Sequence, residues 1–227
     1  MKNQERTQTL SRKNVLSALR AQLRSLRWVM LVIYTPVVVA LGIVVVVRIT
    51  TGFPMADLTR DPLQIAQVPV YTGVLSNLGV LVWAGTAAIC LFSYAVVRNR
   101  AAPGTSSRFL LAGGLVTVML LLDDFFMFHE IIFPQYIGIP ENLVYAIYVL
   151  VVAWFLARHR STILRTNFLL LALALAGFGL MVVMDIFEYV NPLPGFYLLE
   201  DGFKLFAIVS WAAYFISTSV RQVGGSK

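Results

Sequence analysis

The chain of 227 residues is 59% hydrophobic and only 13% charged, with a net charge of +7 and a mean hydropathy of +0.79. Soluble globular proteins are about 45–50% apolar and about 25% charged, so this composition excludes a disordered chain, a secreted disulfide scaffold and a soluble enzyme with an ordinary polar surface. We therefore predict an integral membrane protein. Its single cysteine, Cys90, cannot form an intrachain disulfide.

The first 27 residues are basic and amphipathic. Four leucines recur at intervals of three or four residues among three arginines, at Leu16, Leu19, Leu23 and Leu26 and at Arg20, Arg24 and Arg27. This pattern predicts that residues 1–27 form a cytoplasmic amphipathic helix on an anionic lipid surface. The alternative is that they extend the first membrane span.

Residues 28–220 contain apolar segments that are long enough to cross a hydrocarbon core of about 30 Å. We place six spans at Trp28–Val47, Gly73–Val97, Phe109–Ile132, Glu141–Ala157, Phe168–Val190 and Leu198–Val220. The predicted fold is therefore all-α, a polytopic membrane protein with six transmembrane helices in a bundle of three hairpins. Residues 221–227 form a cytoplasmic tail.

The basic residues predict the orientation of these spans. Most of the 18 lysines and arginines precede the first span, follow the last, or lie in the second and fourth connections. Because basic residues are retained on the cytoplasmic side, both termini are expected there, in a multi-pass cell-membrane protein such as one of the bacterial inner membrane. The positive charge is then an orientation signal with anionic lipid as its partner, and nucleic acid is excluded as one.

Most of the 11 acidic residues lie at the opposite, outer ends of spans three to six: Asp123, Asp124, Glu130, Glu141, Asp185, Glu188, Glu200 and Asp201. The helix rise places Asp123, Asp185 and Lys204 at one level, in the outer third of the bilayer. Ionisable groups at such a depth are costly and are expected to face the bundle interior, where they pair with one another or line water.

Helix direction divides these acids into two groups. Glu141, Glu200 and Asp201 lie where spans four and six begin, and the helix dipole favours anions there. The other five lie at the carboxyl ends of spans three and five, where the dipole disfavours them. Lys204, four residues after Glu200, can form an ion pair with it, but a surplus of negative charge remains.

This surplus predicts an outward-facing intramembrane acidic pocket that binds a cation, and carboxylates with one imidazole suit a divalent metal ion. The candidate ligands are Asp123, Asp124, His129, Glu130, Asp185 and Glu188. The residues expected to support them as ion pairs are Glu141, Glu200, Asp201 and Lys204.

Three other functions remain open. A membrane-embedded, metal-dependent enzyme acting on a lipid-like substrate needs the same metal with an activated water. A cation- or proton-coupled transporter needs acids along a path to the cytoplasm, and those are missing below the outer third. A structural subunit of a membrane complex would use its charged rim to dock a partner subunit or a second copy. We assign no catalytic residue.

Overall fold

The computed structural model describes residues 2–98, 105–190 and 194–225, without the side chains of residues 2–16, 18, 19, 105, 106, 186–190 and 194–196. Within these ranges the chain is helical and contains no strand. The helices are α1 (Lys2–Thr51), α2 (Met55–Thr59), α3 (Pro62–Ala66), α4 (Val74–Val97), α5 (Thr105–Phe126), α6 (Glu141–Ile163), α7 (Phe168–Val190) and α8 (Pro194–Gly224). A π-helical segment, Phe128–Ile137, lies between α5 and α6.

Six of the helices in the described ranges are long and apolar enough to cross a membrane. The spans lie at Arg20–Thr51, Val74–Val97, Ser107–Phe126, Glu141–Ile163, Phe168–Asp185 and Tyr197–Gly224. Many large apolar side chains on these helices are exposed, as expected for surfaces that contact lipid. The predictions of an all-helical chain and of six helices long and apolar enough to cross a membrane are thereby confirmed in the described ranges.

Residues 1–72 form one compact unit, built on α1. This helix runs from Lys2 to Thr51, and such a continuous helix fits both an amphipathic segment at residues 1–27 and an extension of the first span. Its position on a lipid surface stays a prediction. At the end of α1, the guanidinium of Arg48 donates hydrogen bonds to the carbonyl groups of Gly52 and Phe53.

Residues 73–227 form the second unit, which has an aromatic core. The ring of Trp83 on α4 stacks on Phe178 of α7 at 6.0 Å and meets the edge of Trp211 of α8 at 6.1 Å. Trp211 donates from Nε1 to Oγ1 of Thr117 on α5 at 3.0 Å. This bond satisfies the indole N–H of Trp211, which is buried in the aromatic core.

Two glycines let helices of this unit approach closely. A Cβ atom at Gly113 of α5 would fall well inside van der Waals contact with the ring of Phe215 on α8. A Cβ atom at Gly177 of α7 would lie 2.9 Å from the Cβ of Ala207 on α8. Lipid supplies no hydrophobic driving force between helices, so the close packing that small residues permit helps to hold the helices together.

Several predicted helix limits are wrong. Helix α5 ends at Phe126 rather than at Ile132, because Met127 takes a left-handed backbone conformation (φ 53°) and the π-helical segment follows. Helix α8 begins at Pro194, with no acidic residue in its first turn. Glu200 and Asp201 therefore do not cap it, whereas Glu141 does lie in the first turn of α6.

Candidate functional site

Two consecutive carboxylates, Asp123 and Asp124, occupy the last turn of α5, where the chain leaves its α-helical course. Asp123 is buried and accepts three hydrogen bonds. Its Oδ1 accepts from the backbone amide of His129 at 3.0 Å and from the hydroxyl of Tyr148 at 2.7 Å, and its Oδ2 lies 2.6 Å from Nδ1 of His129. The side chain thus ties the start of the π-helical segment to α5 and α6.

The imidazole of His129 lies between two carboxylates. Its Nδ1 forms a hydrogen bond with Asp123, and its Nε2 lies 3.3 Å from Oε1 of Glu130. The imidazole ring also packs on the ring of Tyr145, with the two centroids 4.7 Å apart. His129 is 8% exposed, whereas Glu130 is half exposed. Both residues lie in the π-helical segment, beyond the end of the α5 span.

This arrangement determines the charge of the imidazole. Burial by itself lowers the pKa of His129, but the hydrogen bonds to Asp123 and Glu130, together with their negative charge, outweigh burial and raise the pKa to about 9. The hydrogen bond from His129 in turn lowers the pKa of Glu130. At neutral pH the site therefore contains an imidazolium ion between two carboxylates.

Asp124 faces other neighbours than Asp123, because successive residues of an α-helix point about 100° apart. The Nζ atom of Lys204 on α8 lies 2.5 Å from Oδ1 of Asp124. The side chain of Asp124 is 7% exposed and that of Lys204 is 26% exposed. This ion pair joins α5 to α8. The pair that the sequence spacing allows between Lys204 and Glu200 within α8 stays a prediction.

The second carboxylate oxygen of Asp124, Oδ2, is buried and has no hydrogen-bond partner within the part of the chain that the structure describes. Asp124 lines a small cavity of about 10 Å³, together with Ser76 and Gly79 of α4 and with Asp201 and Lys204 of α8. A volume of that size accommodates about one water-sized particle.

Gly79 keeps this cavity open. A Cβ atom at this position would lie 3.7 Å from Oδ2 of Asp124 and 3.0 Å from Cδ1 of Ile208. The missing side chain therefore both leaves space beside the carboxylate and allows α8 to pack against α4.

The structure brings only part of the predicted site together. His129 and Glu130 join Asp123, and Lys204 and Asp201 join Asp124. Asp185 on α7 and Glu141 at the start of α6 are exposed, although both lie within electrostatic range of Tyr145, which packs on His129. The side chain of Glu188 is not described.

The described residues contain no group of three histidine, cysteine, aspartate or glutamate side chains that could hold a metal ion. The physical reason is that Asp123 already uses both oxygens on His129 and Tyr148, while Asp124 faces away from them. The divalent metal ion stays a prediction that this geometry does not support.

Sequence reasoning missed the tyrosines of the site. Tyr145 and Tyr148 are three residues apart on α6, so they lie on one face of that helix. Tyr145 packs on His129 of the π-helical segment, and Tyr148 donates a hydrogen bond to Asp123 at the end of α5. Two tyrosines at this spacing in an apolar segment could have indicated these contacts from the sequence, because a buried tyrosine hydroxyl needs a hydrogen-bond partner.

The family model for a domain of unknown function, DUF8692, matches residues 19–218. No curated protein and no solved structure matches the chain. The match spans five of the six membrane-crossing helices in full, nearly all of the sixth, and both charged groups at the end of α5. The chain therefore belongs to the DUF8692 family.

Proposed function

We propose that this multi-pass membrane protein binds a cation at the charged end of α5, on the outer side of the membrane. The observation that carries the proposal is the carboxylate of Asp124, which is buried beside a cavity with one oxygen that no described residue hydrogen-bonds. Leaving a charged acceptor in this condition is costly. A ligand with positive charge removes the cost.

The charge balance around the site supports a cation. Two positive groups, the ammonium of Lys204 and the imidazolium of His129, face four carboxylates, those of Asp123, Asp124, Glu130 and Asp201. A negative surplus remains even when the histidine is protonated. In a partly buried environment such a surplus attracts a small cation more strongly than in bulk water.

The proposal is tested by cation-dependent stability of the purified protein in lipid nanodiscs. Thermal unfolding is followed in sodium, potassium, magnesium, calcium, manganese and zinc chlorides, with choline chloride keeping the ionic strength constant. A bound ion raises the unfolding free energy as RT ln(1 + [L]/Kd), about 2.7 kcal/mol at a hundred times Kd. We expect a rise that Asp124→Asn abolishes and that the control Asp57→Asn, at an exposed carboxylate of α2, retains.

A wild-type protein that no cation stabilises beyond choline would refute the proposal. The same experiment tests the divalent metal predicted from the sequence. Stabilisation by manganese or zinc that His129→Gln removes, and that Asp124→Asn preserves, would place the ion between Asp123 and Glu130. Those two carboxylates would then have to release the imidazole that they now hold.

We also propose the orientation that the basic residues indicate. Arg221 near the end of α8 donates to Oδ1 of Asn167, in the connection between α6 and α7, at 3.0 Å. This basic end of the second unit is proposed to face an anionic cytoplasmic leaflet, as in a bacterial inner membrane. In a Cys90→Ala background, a membrane-impermeant maleimide should label Ile137→Cys in intact cells and Arg165→Cys only after permeabilisation; the reverse pattern would overturn the orientation.

A further inference from the structure

We infer that the cavity beside Asp124 is a site for one small monovalent cation of the sodium class, which exchanges with the ammonium group of Lys204. The inference rests on the proposed function and deepens it by naming the class of ion, the oxygen that binds it and the group that competes with it.

The two carboxylate oxygens of Asp124 differ in their partners. The side chain of Asp124 is more than nine-tenths buried, and its Oδ1 is already bonded to Lys204. Its Oδ2 is buried and lacks a hydrogen-bond partner among the described residues, although it borders a cavity. Buried carboxylate oxygens are almost always satisfied in folded proteins, so this oxygen marks the position of a ligand.

The residues that line the cavity supply oxygen atoms as possible ligands. The cavity offers oxygen donors, with the hydroxyl of Ser76 and the carboxylate of Asp201 near Asp124, and Ser76 and Asp201 are exposed. Oxygen donors favour hard cations. Ser76 and Asp201 lie within the first five residues of their membrane-crossing helices, so an ion reaches the cavity from the end of the spans.

The size and the charge of the cavity indicate the class of ion that it holds. A volume of about 10 Å³ holds about one water-sized particle. Calcium takes six to eight oxygen ligands, and magnesium keeps several waters of its octahedral shell. So small a space leaves no room for the waters that magnesium keeps. The lining carries two carboxylates, those of Asp124 and Asp201, and one ammonium, that of Lys204. One monovalent cation neutralises the single negative charge that remains, whereas a divalent ion would exceed it.

The ammonium group of Lys204 competes with an ion for Asp124. This group is a positive charge in contact with Asp124, and a second cation on Oδ2 would be held a few ångströms away from it and repelled. Asp201 precedes Lys204 by three residues on α8 and lines the same cavity, so the lysine has another carboxylate within reach on its own helix face. Lys204 therefore leaves Asp124 when an ion binds.

The chain offers a matched pair of variants for this site. Gly79→Ala places a methyl group 3.7 Å from Oδ2, and its closest neighbour is the flexible end of Ile208, which can shift. It fills the cavity without removing any charge. Gly85→Ala is the control, because it is on the same helix and a Cβ atom there meets nothing within 4 Å.

The experiment measures sodium binding to the full chain in nanodiscs, by the sodium-dependent shift in unfolding temperature and by titration calorimetry with sodium chloride against choline chloride. Lys204→Met removes the competing ammonium and should lower the Kd for sodium by about tenfold or more, which is about 1.4 kcal/mol. Gly79→Ala should abolish the sodium effect, and Gly85→Ala should retain it. A Lys204→Met protein that unfolds without sodium and is rescued by it gives the same support.

Three results would overturn the inference. Sodium binding that persists in Gly79→Ala places the ion elsewhere and leaves the proposed function standing. Weaker binding in Lys204→Met makes the lysine a supporting group rather than a competitor. A sodium effect that is missing in both wild type and Lys204→Met leaves only a bound water in the cavity, and if no other cation acts on the wild type either, the proposed function fails with it.

Discussion

Replacing Asp123 with asparagine removes a buried negative charge from His129 and changes the shape of the side chain little. The asparagine oxygen can still accept from the amide of His129 and from Tyr148, so the turn after α5 can be kept. What is lost is the ionic bond to Nδ1, which measures 2.6 Å. Glu130, half exposed and at 3.3 Å, remains as the only carboxylate described in contact with the imidazole.

The size of the effect follows from the pKa of His129. It is raised from 6.5 to about 9 against the opposing effect of burial, and one pKa unit corresponds to about 1.4 kcal/mol. The two carboxylates together therefore favour the protonated imidazole by about 3 kcal/mol. Because the bond to Asp123 is shorter and more buried, we expect Asp123→Asn to lose about 1 to 2 kcal/mol of unfolding free energy near pH 6.

The pH dependence has a definite sign. A histidine whose pKa is higher in the folded state than in the unfolded state stabilises the fold fully below about 6.5, and this stabilisation is lost as the pH rises through about 9. The lowered pKa of Glu130 acts in the opposite direction, so its contribution is present above about 4.5 and is lost in acid. Wild-type stability should decline on both sides of neutrality, and Asp123→Asn should flatten the alkaline decline.

Two measurements check this reasoning. Thermal unfolding in nanodiscs, from about pH 5 to about pH 10, gives the stability profiles of wild type and Asp123→Asn. Because the chain has two histidines, His159→Gln leaves a single imidazole whose ¹⁵N chemical shift reports the pKa of His129. An imidazole that titrates near 6.5 in the wild-type site, or equally in both proteins, would refute the argument.

Two further variants test the packing around the site. Tyr148→Phe removes one donor from the charged acceptor Asp123 and should cost about 1.5 to 3 kcal/mol in chemical or thermal unfolding; an unchanged stability would show that the bond contributes nothing. Gly113→Ala forces a methyl group into the ring of Phe215 and should cost about 1 to 3 kcal/mol, while Gly85→Ala in open space should not destabilise the protein; equal stabilities for the two alanine variants would contradict the close approach of α5 and α8.

The positions of the membrane spans follow closely from the sequence. Six apolar segments were expected, and six helices in the described ranges meet the requirement. The reason is that lipid leaves the backbone no hydrogen-bond partner except itself, so a long apolar segment has to be helical whatever its neighbours are. Similarly, the rise per residue is constant, and Asp124 and Lys204 on separate helices do meet at one level.

The partners of the charged residues did not follow from the sequence. Local spacing allowed a Glu200–Lys204 pair within one helix, and it gave no sign that the ammonium of Lys204 contacts Asp124 on another helix. Asp185 resembles Asp123 in depth and in its position near the end of a span, yet it is exposed. The spacing of residues along the chain describes one helix at a time. The burial and pairing of a charged side chain depend on which helices pack against its face of the helix.

The end of α5 shows the same limit. Nothing in the residues around Met127 requires a left-handed backbone, and an apolar pattern continues beyond it. The break is stabilised by a residue outside the π-helical segment, Asp123, which accepts hydrogen bonds from His129 and Tyr148. These are contacts over six and 25 positions of the chain, which hydrophobic periodicity does not report.

The sequence by itself determined that the chain is helical and how many of its segments are long and apolar enough to cross a bilayer, because composition and helix rise depend on single segments. Only the tertiary structure decided that Asp123 and Asp124 serve different groups. Adjacent residues on a helix point about 100° apart, and the packing of α4, α6 and α8 around α5 determines whether each carboxylate meets an imidazole, an ammonium or a cavity.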